Sequence, residues 1–240
     1  MKKDNLNILI TGGSRGIGKA IALKVAHRCD NLLLTSKNKG SCVNVYEKTK
    51  ALAKNVFYSN FNHEKPYEAA EEMLVWAKEH IDKLDALILD AGIFIEGDLS
   101  TLDKAFYEKN MAVNVSANYA IVQQFIPLLK KAETPRIIII GSTAAYAEYP
   151  SVPSYGVAKW ALRGYSINLR HELKNQNIGV TFVSPGGTLT DMWEGEDVPD
   201  GRLLEPNDIA TVVDVSFELS NQAVINEIIV KPILGDYDED

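Results

Sequence analysis

Three residues of the chain, Ser142, Tyr155 and Lys159, are of types that together can exchange a proton with a substrate oxygen. A free tyrosine holds its proton at neutral pH because its pKa lies near 10. Positions i and i+4 of a helix share a face, so Tyr155 and Lys159 would project together. An ammonium about 4 Å away favours the phenolate by roughly 4 kcal/mol at an effective dielectric near 20. The spacing therefore predicts a tyrosine with a pKa close to the working pH, beside a serine that orients the substrate.

The tyrosine–lysine spacing is a weak signal when it is taken alone. Tyr46 and Lys50 repeat it, and no strand-terminal serine precedes them. We expect this second pair to lie on a solvated helix. A surface pair is also the alternative interpretation of Tyr155 and Lys159, and only the neighbouring motifs decide between the two.

The bulk composition limits the classes of function. With 240 residues and a formal net charge of −7, the chain is not expected to bind nucleic acid or an anionic membrane in general. Its two cysteines, Cys29 and Cys42, indicate neither a disulfide framework nor a metal cluster. We find no apolar stretch of transmembrane length and no signal peptide, and we expect a cytoplasmic protein with reduced thiols.

Short apolar runs alternate with helix-length amphipathic stretches from end to end of the chain. Continuous runs of β-branched residues or leucine are typical of strands buried on both faces. The predicted strands span residues 8–10, 32–34, 56–58, 86–89, 137–140, 180–183 and 228–230. This alternation predicts one α/β domain over residues 1–240, a doubly wound seven-stranded parallel sheet (Rossmann-like) with helices on both faces.

Two helices can be predicted from the spacing of apolar residues. One begins near Pro66, which suits a first helical turn, and a second, longer helix runs from about 113 to 131. The stripe expected to be buried in the first helix consists of Tyr67, Ala70, Leu74, Ala77 and Ile81.

The segment directly after the first strand has the composition of a phosphate-binding turn. It reads Thr11-Gly12-Gly13-Ser14-Arg15-Gly16-Ile17-Gly18. Glycine lets the backbone turn tightly, approach a pyrophosphate and begin a helix whose N-terminus faces the anion. The spacing Gly-x-x-x-Gly-x-Gly in a strand–turn–helix context predicts dinucleotide binding, and a purely structural glycine turn is the alternative.

The residues after the second strand bear on which dinucleotide is bound. Folds specific for NAD usually place an acidic residue here to bind the ribose 2′-hydroxyl, and the sequence has none. Lys37 lies there instead, and Arg15 in the glycine turn could reach the same ribose. Two cations suit a 2′-phosphate, so NADP(H) is favoured over NAD(H). The alternative is that Lys37 and Lys39 only solvate a turn.

Taken in order, these motifs resemble those of the short-chain dehydrogenase/reductase family in its single-domain form, over essentially the whole chain. The matching residues are Thr11-Gly12 with Gly16-Ile17-Gly18, Asp90-Ala91-Gly92, Asn114, Ser142, Tyr155 with Lys159, Pro185-Gly186, Thr188 and Thr190. The family usually has asparagine where this chain has Asp90. An ionised carboxylate can only accept hydrogen bonds, but we do not expect the chemistry to depend on this position.

The resemblance implies an enzyme that interconverts a carbonyl and an alcohol by hydride transfer. Tyr155 would be the general acid, Lys159 would lower its pKa and hold the nicotinamide ribose, and Ser142 would hydrogen-bond the substrate oxygen. Asn114 resembles the asparagine that anchors a water linking the lysine to solvent. The alternative for Asn114 is an amide that satisfies backbone groups inside a helix.

The resemblance also implies the residues that bind the cofactor. Asn60 and Phe61 would contact adenine, and the segment from 185 to 190 would hold the carboxamide and pyrophosphate. The full implied set is Gly12, Ser14, Arg15, Gly16, Ile17, Gly18, Lys37, Asn60, Phe61, Ala91, Gly92, Tyr155, Lys159, Pro185, Gly186, Thr188 and Thr190.

The substrate is expected to be set by residues 191–200, an acidic loop with one tryptophan that would close over the cofactor. Its acidity disfavours an acidic acyl carrier protein, although a 3-oxoacyl (carrier-protein or CoA) reductase remains the main alternative. The ending at 227–236 resembles the sepiapterin-reductase-type branch and favours a small ketone. A non-catalytic NADP(H)-sensing module and a methyltransferase with a glycine loop are alternatives of other classes. The resemblance further implies a homodimer or homotetramer.

Overall fold

The computed structural model describes residues 4–149 and 152–236. Its centre is a seven-stranded, all-parallel sheet in the order β3-β2-β1-β4-β5-β6-β7, which confirms the predicted doubly wound fold. The strand order reverses between β1 and β4, and a crevice at the carboxyl ends of the strands is expected at such a point. The strands are β1 (Leu6–Thr11), β2 (Cys29–Ser36), β3 (Asn55–Asn60), β4 (Ala86–Leu89), β5 (Arg136–Ile140), β6 (Gly179–Pro185) and β7 (Glu227–Val230).

Helices cover both faces of the sheet and divide the apolar core in two. One cluster joins the sheet to α3, α5 and α6, and the other joins it to α1, α2 and α7. The helices are α1 (Gly16–Val25), α2 (Val43–Thr49), α3 (Pro66–Lys78), α4 (Lys104–Met111), α5 (Ala117–Leu129), α6 (Pro153–Leu173) and α7 (Pro206–Val215). The central strands are therefore held rigidly, with their carboxyl ends along one edge.

The burial predicted for the strands holds for the centre of the sheet and is wrong at its edges. Every residue of β1, β4 and β5 is buried. In β7, however, Ile229 is 49% exposed, and every residue of β3 is exposed or only partly buried. Edge strands have one neighbour instead of two, so a run of apolar residues there does not ensure burial on both faces.

The stripe predicted for α3 needs a correction. Tyr67 is 58% exposed, and Ile81 is buried but lies beyond the end of the helix at Lys78. The residues that α3 buries are Ala69, Ala70, Met73 and Ala77. The true buried stripe thus uses Met73 in the register where the prediction placed the partly buried Leu74.

The predicted helix from 113 to 131 is the second half of a longer, interrupted one. It begins as α4, whose N-cap Asp103 accepts a 2.7 Å hydrogen bond from the Ala105 backbone N–H. A π-helical turn at Ala112–Ser116 then joins α4 to α5. The Asn118 side chain donates to the Asn114 carbonyl at 2.8 Å within this region. The apolar spacing gave no sign of this turn because the π-turn shifts the helix register by a single residue.

Cys29 and Cys42 are both buried free thiols, and burial raises the pKa of both. No helix among residues 4–149 and 152–236 combines the length and apolar character needed to span a membrane. Within the same ranges no cluster of histidine, cysteine and carboxylate side chains is arranged to hold a metal ion.

Candidate active site

Ser142 lies just beyond the carboxyl end of β5, where Gly141 shapes the backbone. A Cβ at Gly141 would lie only 2.2 Å from the Phe182 ring of β6, so glycine alone fits there. The Ser142 Oγ accepts a 3.1 Å hydrogen bond from the Ala144 N–H and caps a short 3-10 helix, Thr143–Ala145. Sequence reasoning identified Ser142 but missed Gly141, because only its neighbour across the sheet shows why it is needed.

Tyr155 and Lys159 lie on the first turns of α6 and meet Ser142, as predicted. The Ser142 hydroxyl lies near enough to the Tyr155 hydroxyl to lower the pKa of that phenol. The Lys159 Nζ lies 5.3 Å from the centre of the Tyr155 ring and donates to the Ile140 carbonyl at 3.4 Å. The end of β5 and the start of α6 therefore bring all three residues together.

Asp90, directly after β4, belongs to the same cluster. A Cβ on Gly18 would lie 2.6 Å from the Asp90 Oδ2 and 2.5 Å from the Gly12 carbonyl oxygen, so the carboxyl group fills the space between the glycine turn and α1. It accepts a hydrogen bond from the Gly18 backbone and attracts the charged form of Lys159. The Asp90 charge affects the pKa of both Lys159 and Tyr155, and the expectation that the chemistry does not depend on Asp90 stays a prediction.

Burial is the largest influence on all three ionisable groups. It raises the pKa of Tyr155 to about 12, which Ser142 opposes and Asp90 reinforces. It lowers the pKa of Lys159 to about 8 against the attraction of Asp90, and it raises the pKa of Asp90 to about 7. The predicted fall of the Tyr155 pKa toward neutrality is therefore wrong here. Desolvation disfavours the phenolate, so Tyr155 keeps its proton at neutral pH.

Thr11, at the end of β1, fixes the chain that leaves β4. Its Oγ1 accepts hydrogen bonds from the Asp90 N–H at 3.1 Å and the Ala91 N–H at 3.2 Å. A Cβ on Gly92 would lie 2.7 Å from the Asn114 side-chain oxygen, so the backbone passes close to the interrupted helix. Thr11 therefore positions Asp90 and the two small residues after it, a role that sequence reasoning did not assign.

Asn114 and Asn110 connect this segment to α6, the helix that carries Tyr155 and Lys159. The Asn114 side chain accepts from the Ile93 N–H at 3.2 Å, and donates to the Ile93 carbonyl at 2.9 Å and to Asn110 Oδ1 at 2.6 Å. Asn110 in turn donates to the Ser154 carbonyl of α6 at 2.7 Å. The Asn114 amide therefore satisfies backbone groups, which was the alternative interpretation of this residue. Its role in anchoring a water stays a prediction. Asn110 was missed, although its i, i+4 spacing from Asn114 was visible.

The glycine turn has the geometry that a dinucleotide pyrophosphate requires. Gly12 and Gly16 have φ angles of +72° and +53°, which favour glycine, and a Cβ on Gly12 would lie 2.9 Å from the Ala91 nitrogen. No side chain caps the start of α1 at Arg15, so the helix N-terminus can face an anion. Ser14 is partly exposed in this turn, whereas Ile17 packs against the core.

The segment after β6 lies opposite the glycine turn. A Cβ on Gly16 would lie 3.3 Å from the Thr190 Cγ2. Pro185 pairs with β7, and the Thr188 hydroxyl donates to the Gly186 carbonyl at 2.8 Å. The segment predicted to hold the pyrophosphate and carboxamide is thus adjacent to the glycine turn.

The two residues predicted at adenine differ in their placement. Asn60 is exposed at the end of β3. The Phe61 ring is buried in the core, 5.7 Å from the Trp76 ring centre, so Phe61 could offer a ligand only its backbone. Burial of Phe61 follows from its packing on α3, which the sequence alone did not reveal.

The two cations predicted at the ribose are both paired with carboxylates. Lys37 Nζ lies 2.7 Å from Glu64 Oε1, and Arg15 Nη1 lies 3.3 Å from Asp191 Oδ2. No acidic residue follows β2 in the sequence, but two carboxylates from other loops lie beside the two cations. Glu64 lies on the loop after β3 and Asp191 on the loop after β6, and folding brings both to the site.

The second tyrosine–lysine pair lies on the surface, as predicted. The Lys50 Nζ is 5.6 Å from the Tyr46 ring centre, nearly the same as the 5.3 Å between Lys159 and Tyr155. Lys50 is exposed, however, and pairs with Glu47 one turn away. Burial of the lysine and the neighbouring serine, not the spacing, distinguish Tyr155 and Lys159.

Comparisons with known proteins agree with this geometry. A family model described as short chain dehydrogenase matches residues 6–199. The chain is 26% identical over 243 residues to the sepiapterin reductase of Chlorobaculum tepidum, covering 97% of the chain and 98% of the relative. It is 25% identical over 230 residues to an uncharacterized oxidoreductase of Staphylococcus epidermidis, covering 94% and 96%. A short chain dehydrogenase from Burkholderia cenocepacia, solved in complex with NADP, superposes with a TM-score of 0.87 at 26% identity, covering 96% and 98%.

Proposed function

Since the chain belongs to the short-chain dehydrogenase family, we propose that it is an NADP(H)-dependent oxidoreductase that reduces the carbonyl group of a small ketone to an alcohol. The proposal rests above all on the meeting of Ser142, Tyr155 and Lys159 at the carboxyl edge of the sheet. This group lies at the same edge of the sheet as the glycine turn and the segment after β6.

In the proposed reaction the protein positions the carbonyl and donates a proton. The Ser142 hydroxyl, near the Tyr155 hydroxyl, marks where the carbonyl oxygen would lie. Because its pKa is about 12, Tyr155 remains protonated at neutral pH. It donates its proton to this oxygen as negative charge develops there. Lys159 has a pKa of about 8 and is therefore charged at lower pH, where it stabilises the resulting phenolate. The bound dinucleotide supplies the hydride.

Support for the cofactor comes from the turn and from its relatives. Gly12 and Gly16 leave the turn free of side chains, and the start of α1 faces the crevice. Arg15 and Lys37 lie on the side where a 2′-phosphate is expected. The Burkholderia cenocepacia structure at 26% identity contains NADP. Arg15, Lys37, the glycine turn and the segment 185–190 are therefore the proposed NADP(H) site, with Asn60 at the adenine.

The side chains around Tyr155 favour a small substrate with an apolar body. The Phe94 and Tyr149 rings lie 5.2 and 6.5 Å from the Tyr155 ring, centre to centre. Trp193 of the following loop packs next to Gly187, where a Cβ would be 3.5 Å from the indole. The sepiapterin reductase of Chlorobaculum tepidum supports the same class of substrate. Exposed acidic residues on the loop disfavour an acidic carrier protein, namely Glu194, Glu196, Asp197 and Asp200.

Exposed apolar side chains on the helices next to the site support a homo-oligomer. Phe106 of α4, Tyr119 of α5, and Trp160 and Ile167 of α6 are all exposed. We propose that these helices pair between copies of the chain, as a dimer or tetramer. Light scattering coupled to size exclusion would test this, and a strictly monomeric protein at micromolar concentration would contradict it.

The function can be tested by following NADPH absorbance against a panel of carbonyl compounds. We expect turnover with small aliphatic or aromatic ketones and diketones, and little with 3-oxoacyl thioesters of CoA or a carrier protein. Faster turnover of the thioesters would replace the small-ketone proposal by the thioester one. Tight NADPH binding without turnover of any substrate would indicate a sensing module instead. A chain that binds no dinucleotide would refute the proposal altogether.

A further inference from the structure

Glu64 connects three elements at the end of the crevice where a 2′-phosphate is expected. The carboxyl ends of β2 and β3 are neighbours, since Ser36 pairs with Asn60 in the sheet. Lys37 follows β2 and Glu64 follows β3, and their charged atoms lie 2.7 Å apart. The same Glu64 oxygen lies 3.2 Å from the Lys109 Nζ of α4. Glu64 is thus held between two lysines from different parts of the chain.

These contacts favour the ionised form of Glu64. The hydrogen bonds from Lys37 and Lys109 lower the pKa of Glu64 below its ordinary value. Lys37 is 61% exposed at its side chain and Glu64 is 34% exposed, so both remain open to a ligand. A phosphate that binds Lys37 must therefore displace a resident carboxylate or share the lysine with it.

The ion pair with Lys109 keeps the Glu64 carboxylate near the site when Lys37 binds another group. When Lys37 turns to a phosphate, Glu64 keeps its second partner, which belongs to another helix. The carboxylate charge then remains within a few ångströms of the bound anion, where like charges repel. A dinucleotide with a 2′-hydroxyl would meet no such repulsion.

We infer that Glu64 is a specificity-determining residue that weakens binding of a 2′-phosphorylated dinucleotide by competing for Lys37. The inference rests on the proposed dinucleotide function and on Lys37 as a ligand of the 2′-phosphate. It means that the selectivity of this chain for NADP(H) over NAD(H) is set by a balance between Lys37 and Glu64, and not by the lysine alone.

Equilibrium binding of NADPH and NADH by titration calorimetry tests the inference without relying on turnover. In Glu64→Gln we expect the Kd for NADPH to fall about fivefold, the scale of one exposed charge pair, while that for NADH stays within about twofold. Glu68→Gln is the matched control. Glu68 lies in the first turn of α3 and pairs with Lys65 at 3.0 Å. Its substitution by glutamine removes the same charge from a residue that pairs with Lys65 instead of Lys37.

A second variant separates local competition from a general change in charge. In a Lys37→Met background, Glu64→Gln should no longer tighten NADPH binding, because the contested cation is gone. The inference is overturned if Glu64→Gln changes NADPH binding no more than Glu68→Gln, if NADH gains equally, or if the gain persists without Lys37. Failure of the unmodified protein to bind either dinucleotide would refute the proposed function itself. Binding of NADPH with no gain in Glu64→Gln would refute this inference alone.

Discussion

Two charged regions of the molecule obey the same electrostatic rules but differ in their exposure to solvent. The candidate catalytic cluster, formed by Asp90, Ser142, Tyr155 and Lys159, is partly to fully buried, and desolvation has the largest effect on the pKa of each ionisable member. The ribose-end ion pairs, Arg15–Asp191 and Lys37–Glu64, lie at the surface. In the interior each charge changes its neighbours' protonation, whereas at the surface water screens the pairs and leaves them exchangeable.

The comparison extends to two tyrosine–lysine pairs of equal spacing. The ring-to-ammonium distances are 5.3 Å for Tyr155 and Lys159 and 5.6 Å for Tyr46 and Lys50. Of the two pairs, Tyr155 and Lys159 are the one accompanied by a serine and a partly buried carboxylate that affect its pKa values. Distance within a pair therefore says little about chemistry, and the surroundings say much more.

The largest expected effect comes from Tyr155→Phe, which removes the proton donor and leaves the ring. Turnover in the NADPH assay should fall about a thousandfold, within the range of general acid catalysis, while NADPH affinity stays within about threefold. Tyr46→Phe is the matched control and should retain full activity. Substantial turnover in Tyr155→Phe, or an equal loss in Tyr46→Phe, would contradict the difference drawn between the two pairs.

Asp90→Asn should change how folding stability depends on pH. Burial raises the pKa of Asp90 from 3.8 to about 7, so its contribution to stability is present below pH 3.8 and is lost as pH rises toward 7. Asparagine does not titrate, so the variant does not lose stability over this range. Its free energy of unfolding, relative to that of the parent, should therefore rise by about 2 kcal/mol from pH 5 to pH 7. Urea unfolding at the two pH values measures it. Parallel pH curves for the two proteins would mean that the Asp90 carboxyl is not buried as described.

The rate of reduction should also depend on the charge of Lys159. Its pKa of about 8 means that the ammonium is lost at higher pH, while Tyr155 keeps its proton. We expect kcat/KM to fall by about tenfold per pH unit above pH 8. Because Asp90 favours the charged lysine, Asp90→Asn should move this fall to lower pH. A profile that stays flat to pH 10 would exclude this role for Lys159.

The smallest effect is expected from Asp191→Asn at the surface. The Arg15 and Asp191 side chains are 74% and 50% exposed, so their pair should contribute less than about 0.5 kcal/mol to folding stability. Thermal unfolding of the variant and the parent should therefore nearly coincide. A loss of several degrees would show that this pair behaves like the interior cluster, and the contrast between the regions would fail.

The sequence by itself determined the parts of this protein that depend on local pattern. Buried apolar runs predicted the parallel strands, and the glycines after β1 predicted a tight turn before α1, because both follow from short-range sterics and periodicity. The order of Ser142, Tyr155 and Lys159 on a strand end and a helix start predicted that they would meet. The exposed face of β7 and the π-turn at Ala112–Ser116 escaped prediction, since neither changes the local pattern.

Only the tertiary structure decided which charges stand next to which. Glu64 is 27 residues from Lys37 and Asp191 is 176 residues from Arg15, and no local rule pairs them. The same holds for Asp90, whose effect on Lys159 follows from two strand ends meeting at one edge of the sheet. Protonation depends on burial and on all charges within a few ångströms, quantities that exist only once the chain has folded.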